Sequence, residues 1–284
     1  MKASPIAKYA RQETRARVHR WNANLRHAAK HPDDPDAIHD LRVSIRRLSQ
    51  CFRIFQSPAK KVRRRVHKIM QRCGAVRNCD IALELLAECG LLASPSVAIL
   101  QRSRERAARK LKRSLKKERR RSRAAESAPH PFPGFQIATR LPALAEDFFQ
   151  TGDAAAVADS SYATLHRFRL RAKRFRYTLE LFERFYGSEM ATGAKALKGV
   201  QDLLGAINDC VTTIALLPED PIAQAAIQEL LDERTRLFRN YWRSRFPPQK
   251  RAWWRRWLSQ PRASAGARVK ATSTASSGSA TRRG

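Results

Sequence analysis

The sequence is poor in glycine, in acidic residues and in long apolar runs. Its 11 glycines form no loop of the dinucleotide-binding or P-loop type, which argues against the common nucleotide-dependent enzymes. The 5 cysteines include no C-x-x-C pair, so neither a disulfide framework nor a zinc finger is indicated and a reducing compartment is expected. No apolar run approaches the ~20 residues of a membrane-spanning helix. Since the N-terminus also lacks a signal-peptide pattern, we expect a soluble cytoplasmic protein.

Positive charge is the strongest feature of the composition. The chain has 57 Lys and Arg residues against 25 Asp and Glu, a formal net charge of +32, while 43% apolar residues suffice for a core. This balance indicates a globular protein with a polyanionic partner.

Apolar residues recur at three- and four-residue spacing almost throughout, and no alternating strand pattern appears, which predicts an all-α fold. We divide the chain into a first helical repeat at 1–126, a proline-rich linker at 127–134, a second repeat at 135–258 with a Trp-rich end, and a disordered basic tail at 259–284. Asp and Ser residues before the second helix of each half supply N-caps. The predicted helices are 6–31, 35–56, 59–90, 96–125, 136–151, 160–186, 189–217 and 221–246.

Two motifs occur twice in the same order, which indicates an internal repeat. HDLRVSIRRL at 39–48 aligns with HRFRLRAKRF at 166–175, so a histidine, two arginines and further cations recur at equal spacing. GAVRNC at 74–79 aligns with GAINDC at 205–210.

On a helical wheel the repeated cations form one stripe in each copy, opposite an apolar stripe. The first stripe contains His39, Arg42, Arg46 and Arg53, and the second contains His166, Arg169, Lys173, Arg176 and Tyr177. Neighbours of like charge at this spacing repel each other, which suggests that a bound anion offsets the repulsion. Arg can grip phosphate through two hydrogen bonds, so a phosphate chain is the matching ligand. For any single cation a solvated helix face is the plainer interpretation, and a lone His is more often a packing residue.

Residues 39–55 and 166–182, together with QDLLGAINDC at 201–210, resemble the CHAD domain family, and the likeness spans about 5–245. The resemblance implies two four-helix bundles related by a pseudo-two-fold repeat, a central basic cavity, and non-catalytic binding of inorganic polyphosphate. It assigns to the cavity wall His39, Arg42, Arg46, Arg47, His166, Arg169, Lys173, Arg174 and Arg176, with Tyr177 as an addition.

Four lysines and arginines beyond the stripes are weaker candidates for the same basic surface: Lys195, Lys198, Lys68 and Arg72. Asn78, Asp80 and Asp209 are expected to orient arginines or to cap a turn. The copies also differ, since Ser49 and Gln50 stand where the second copy has Arg176 and Tyr177, so the half-sites are expected to be unequal.

We therefore expect a non-enzymatic polyphosphate-binding protein without cofactor or metal, associated with polyphosphate granules. Hydrolysis of a phosphoanhydride normally needs a metal held by carboxylates, which the repeats do not provide. A non-specific nucleic-acid-binding protein is the alternative, because the segment 97–125 holds 13 cations and only two carboxylates. Protein partners and oligomeric state are not indicated. The Trp-rich segment 249–258 either packs on the second bundle or anchors the protein to a surface.

Overall fold

The computed structural model describes residues 5–55, 60–121, 137–186 and 189–261. These residues form α-helices and one short 3-10 turn, and no strand occurs among them, so the all-α prediction is confirmed. The predicted linker and nearly all of the predicted tail lie outside the described residues. The helices are α1 (Pro5–Lys30), α2 (Pro35–Ile54), α3 (Lys60–Glu88), α4 (Pro95–Arg121), α5 (Ile137–Ala156), α6 (Tyr162–Phe182), α7 (Glu189–Ile214), α8 (Pro221–Arg245) and α9 (Pro248–Leu258).

Most helix ends fall close to the predicted positions because residues that cap helices can be recognised in the sequence. Asp34 caps α2 by accepting a hydrogen bond from the backbone N–H of Asp36, and Ser161 caps α6 by accepting one from Thr164. Helix α5 runs through Pro142 and ends later than predicted. The segment predicted only as Trp-rich is the helix α9.

The helices pack in two groups that follow the two halves of the chain. In the first half α1 contacts α2 and α4, and α3 contacts α2 and α4; in the second, α5 contacts α6 and α8, and α7 contacts the same two helices. Helix α9 packs on α5. The groups meet where α2 contacts α6 and α3 contacts α7. This arrangement sets the two helices with the repeated motif side by side, whereas the two-fold relation itself stays a prediction.

An aromatic cluster joins the halves at one end of this contact. Tyr9 on α1 lies edge-on to Phe55, with ring centroids 6.4 Å apart, and Phe55 lies 6.1 Å from Phe182 at the end of α6. The Tyr9 hydroxyl donates a hydrogen bond to the backbone carbonyl of Leu181. Since burying one such side chain contributes roughly 1.5–3 kcal/mol, the cluster firmly fixes α2 against α6.

Neutral hydrogen bonds and a small apolar cluster continue the seam between the halves. The buried amide of Gln50 donates to the Thr178 hydroxyl at 2.8 Å, which links α2 to α6. Leu85, Cys210 and Ile227 form a buried cluster between α3, α7 and α8. The two halves therefore share core residues instead of meeting only across solvent.

Helix α9 buries part of its aromatic face against the second half, in agreement with the packing interpretation. Trp254 lies 5.8 Å from Phe175, and it covers Gly193, where a Cβ atom would overlap the indole ring. The Tyr186 hydroxyl donates to the Leu258 carbonyl at 2.8 Å. Only Trp253 of this face is largely accessible, with 46% of its surface exposed. Among the described residues, none of the helices combines the length and the apolar character that crossing a bilayer requires.

Candidate functional site

A cavity of about 620 Å³ lies between the two halves, with walls from α2, α3, α6, α7 and α8. Burial of the apolar stripes of α2 and α6 turns the repeated cations toward this space. The charged and polar residues of its wall are His39, Arg42, Arg46, Arg77, Glu84, Glu88, Arg169, Gln201, Asp202, Asp209 and Arg234.

Four cations form the centre of the site. Arg42 and Arg46 on α2 and Arg169 on α6 line the cavity, whereas Lys173, one turn from Arg169 on α6, is not among the residues of the wall. The Nε atoms of the three arginines are buried and have no hydrogen-bond partner within the described part of the chain. The positive charges of all three arginines repel the Lys173 ammonium. Because a buried donor left unpaired costs about 1–3 kcal/mol, and more when charged, this cluster is unfavourable as it stands.

The pKa values of these groups reflect their crowding. The pKa of Lys173 is lowered from 10.5 to about 7, chiefly by burial and then by the charges of Arg169, Arg46 and Arg42 in that order. Burial is also the main cause of the lowered pKa of Arg42 and of Arg169. An anion that satisfied these donors would relieve the repulsion and favour the charged form of the lysine.

Asp209 on α7 is a carboxylate whose charge acts on Arg42, Arg169 and Lys173. Burial raises its pKa, while the charges of Arg169 and Arg77 act in the opposite direction. One carboxylate offsets only part of the charge of four cations. That Asp209 orients an arginine stays a prediction, whereas Asp80 does pair with Arg104.

Two ion pairs at the wall were not predicted from the sequence. Arg77 holds Glu84 through two hydrogen bonds of 2.8 and 3.1 Å, both within α3. Arg234 on α8 holds Glu88 through two of 2.9 and 2.8 Å, joining the halves. Arg234 belongs to no repeated motif, so only its place opposite α3 reveals it. Since Arg77 and Arg234 are paired, the central four are the cations of the site whose charge is offset only in part, by Asp209.

Several predicted residues do not line this cavity. Arg47 donates to Glu180 at 3.3 Å in a separate concavity beside α1. Arg176 donates to Glu180 at 3.0 Å and to Gln201 at 2.7 Å, and its guanidinium lies 5.6 Å from the ring centre of Tyr177. Because Glu180 accepts hydrogen bonds from both arginines, the charge of Arg47 and of Arg176 is already partly offset.

Arg53 and Arg174 do not line the cavity. They lie near each other, since the charge of Arg53 is the second cause, after burial, of the lowered pKa of Arg174. His166 lies with its Nδ1 atom 3.4 Å from the Tyr162 hydroxyl, outside the cavity wall, whereas His39 lies at the cavity edge and is exposed.

The weaker candidates on α3 and α7 lie apart from the central cations. Lys195 is exposed, and Lys198 pairs with Asp202 at 2.6 Å. Lys68 and Arg72 line another surface concavity on α3. Among the described residues no group of three or more His, Cys, Asp or Glu side chains could hold a metal ion.

Comparison with known proteins identifies the fold family. The crystal structure of the CHAD domain from the plant Ricinus communis is similar, with TM-score 0.54, 21% identity, and coverage of 92% of this chain and 94% of that chain. PptA from Streptomyces chartreusis is similar with TM-score 0.59 and 18% identity, over 88% of this chain and 100% of that chain. At these identities the likeness shows the fold alone. No curated protein matches this chain.

The CHAD domain family model matches residues 13–218, from α1 to the loop before α8. The matched region contains both copies of the repeated motif and the four central cations. Since the match covers well over half of the sequence, the chain belongs to the CHAD domain family.

Proposed function

We propose that the protein binds inorganic polyphosphate in the cavity between its two halves, without turning it over. The observation that carries this proposal is the set of buried, unpartnered Nε atoms of Arg42, Arg46 and Arg169 beside the Lys173 ammonium. Phosphate oxygens are strong acceptors, and charge-assisted hydrogen bonds to them would satisfy these donors. Membership of the CHAD family supports the same ligand.

The placement of the cations on two helices favours a chain of phosphates over a single phosphate. Arg42 and Arg46 lie one turn apart on α2, about 6 Å along the helix, and Arg169 and Lys173 have the same spacing on α6. Successive phosphates of one strand can therefore be contacted from both sides. The carboxylates Glu84 and Glu88 are held by arginines, which fits binding better than metal-assisted hydrolysis.

The double variant Arg42→Gln and Arg169→Gln tests the site with labelled long-chain polyphosphate. We expect affinity to fall at least about 100-fold, because two charge-assisted hydrogen-bond donors are lost at roughly 1.5–3 kcal/mol each. Arg236→Gln with Arg243→Gln is the matched control, since both side chains are exposed on α8 and the net charge changes equally. Equal losses in both variants would show that only total charge matters.

Three further measurements address competing functions and location. Unlabelled duplex DNA at equal phosphate concentration is expected not to displace polyphosphate from the cavity; efficient displacement would contradict the stated preference. Incubation with magnesium should release no phosphate. Binding of this kind predicts co-localisation with polyphosphate granules, which fluorescence microscopy of the tagged protein can test.

A further inference from the structure

Helix α4 carries a second cationic surface that the cavity does not use. Its core face is buried at Leu100, Leu111 and Leu115, so the opposite face points into solvent. A row of exposed cations follows this outer face over about 27 Å of the helix axis. The row consists of Arg102, Arg106, Arg109, Arg113, Lys116 and Arg120. We call these six residues the α4 row.

The α4 row has almost no compensating charge. Of the two carboxylates of α4, Glu118 is buried and pairs with Arg65, so it does not reach the outer face. Glu105 makes one exposed contact of 3.6 Å with Arg109. The other cations of the row make no ion pair within the described residues. Like charges at three- and four-residue spacing destabilise a helix, so the row is unfavourable unless an external anion is bound.

Exposed cations also flank the row, so that positive charge covers about half of the circumference of α4. The flanking residues are Lys110 and Lys117 on one side and Lys112 and Arg119 on the other. The surface is therefore convex and cationic over about half of the helix circumference, unlike the cavity, where the cations face one another.

We infer that the α4 row binds the phosphate backbone of duplex nucleic acid without reading its sequence. A helix of about 10–12 Å diameter fits the ≈ 12 Å major groove, whose two edges bear phosphates that the row and its flanks can reach. A rigid duplex presents these charges in a fixed array. A flexible polyphosphate strand would have to be straightened on an open surface that contacts it from one side only.

An anionic membrane fits this surface less well. Helices that lie on a bilayer insert an apolar face between the lipids. The apolar face of α4 is already buried in the first half, and its only exposed large apolar side chain, Ile99, precedes the row. Contacts to phosphate groups alone carry no sequence information, so the binding is non-specific.

The test compares variants of equal net charge with a labelled duplex of mixed sequence. The row variant combines Arg106→Gln, Arg113→Gln and Arg120→Gln; the control combines Arg236→Gln and Arg243→Gln with Arg256→Gln on α9, all exposed. At physiological salt the row variant should bind the duplex about 100-fold more weakly, and the slope of log affinity against log salt should become shallower by about 3. The control should stay near the unaltered protein.

Equal weakening in the row variant and the control, or no weakening in the row variant, overturns the inference. The cavity variant Arg42→Gln with Arg169→Gln separates the two sites: it should keep duplex binding, and loss of duplex binding there would place the duplex in the cavity instead. In that cavity background, labelled polyphosphate should bind the row weakly. If polyphosphate binds the row as tightly as the duplex does, the assignment to nucleic acid is wrong.

Discussion

Lys173 is expected to take up a proton when polyphosphate binds. In the free protein its pKa is lowered to about 7, first by burial and then by Arg169, Arg46 and Arg42, against the opposing charge of Asp209. At about pH 8 most Lys173 side chains are then neutral. A polyanion in the cavity favours the ammonium and raises this pKa toward its ordinary value of 10.5.

The size and the sign of the effect follow from proton linkage. Affinity is greatest below pH 7, where the ammonium is already present, and falls above it by up to one log unit per pH unit until the pKa of the bound state is reached. In the free protein, the free energy of unfolding changes with pH in the opposite direction to the affinity. Its unfolded chain binds the extra proton between about pH 7 and 10.5, so the free energy of unfolding rises with pH by up to about 1.4 kcal/mol per unit.

Calorimetric titration at about pH 8 in two buffers of different ionisation enthalpy measures the proton uptake. We expect nearly one proton per bound site. Lys173→Arg keeps the positive charge and should bind polyphosphate without this uptake, whereas the exposed Lys195→Arg should behave like the unaltered protein. Repeating the comparison in a His39→Gln background removes the imidazole of the cavity wall, so that Lys173 is examined without it. Uptake that persists in Lys173→Arg would refute the reasoning.

Three further predictions separate the contributions of charge and packing. Asp209→Asn should leave the free energy of unfolding at pH 7 unchanged or raise it slightly, because burial of this carboxylate outweighs the attraction of Arg169 and Arg77 in setting its raised pKa, and should tighten polyphosphate binding; denaturation and affinity measurements check both. Arg46→Gln should weaken binding about tenfold, whereas Arg47→Gln, outside the cavity, should change it less than twofold; a larger effect at Arg47 would place the ligand elsewhere. Trp254→Ala should destabilise the protein by about 3–5 kcal/mol in urea, while the same change at the exposed Trp253 should cost below about 1 kcal/mol.

The periodicity of the sequence predicts the helices and their buried faces well. Leu41, Ile45 and Leu48 are buried as the apolar stripe of α2 requires. The N-caps at Asp34 and Ser161 also follow from local chemistry alone. These features depend on hydrogen bonds and burial within a few residues, which a sequence pattern records directly.

The division of the cations between cavity and other surfaces depends on how the helices pack. Arg46 and Arg47 are adjacent in the chain, yet they point about 100° apart on α2, and only the position of α6 decides which one faces the cavity. Glu180 and Arg234 make contacts across the fold, to Arg47 and Glu88 respectively. A single sequence contains no signal for such pairs, so neither was predicted.

The unequal copies of the motif have a physical reason at the seam between the halves. Gln50 occupies the position that Tyr177 takes in the second copy, and its buried amide donates to Thr178 on α6. Ser49, at the position of Arg176, is exposed. A neutral contact here holds α2 against α6 while the cavity cations repel each other.

This account predicts different results for two substitutions that both make the first copy more like the second. Gln50→Tyr removes the hydrogen bond and inserts a larger side chain into the closed seam, so it should lower the free energy of unfolding by about 1–3 kcal/mol and loosen the cavity. Ser49→Arg places its side chain in solvent and should change stability by less than about 0.5 kcal/mol. Urea denaturation measures both. If Gln50→Tyr is as stable as the unaltered protein, the seam is not closed at this point, and the asymmetry of the two copies needs another cause.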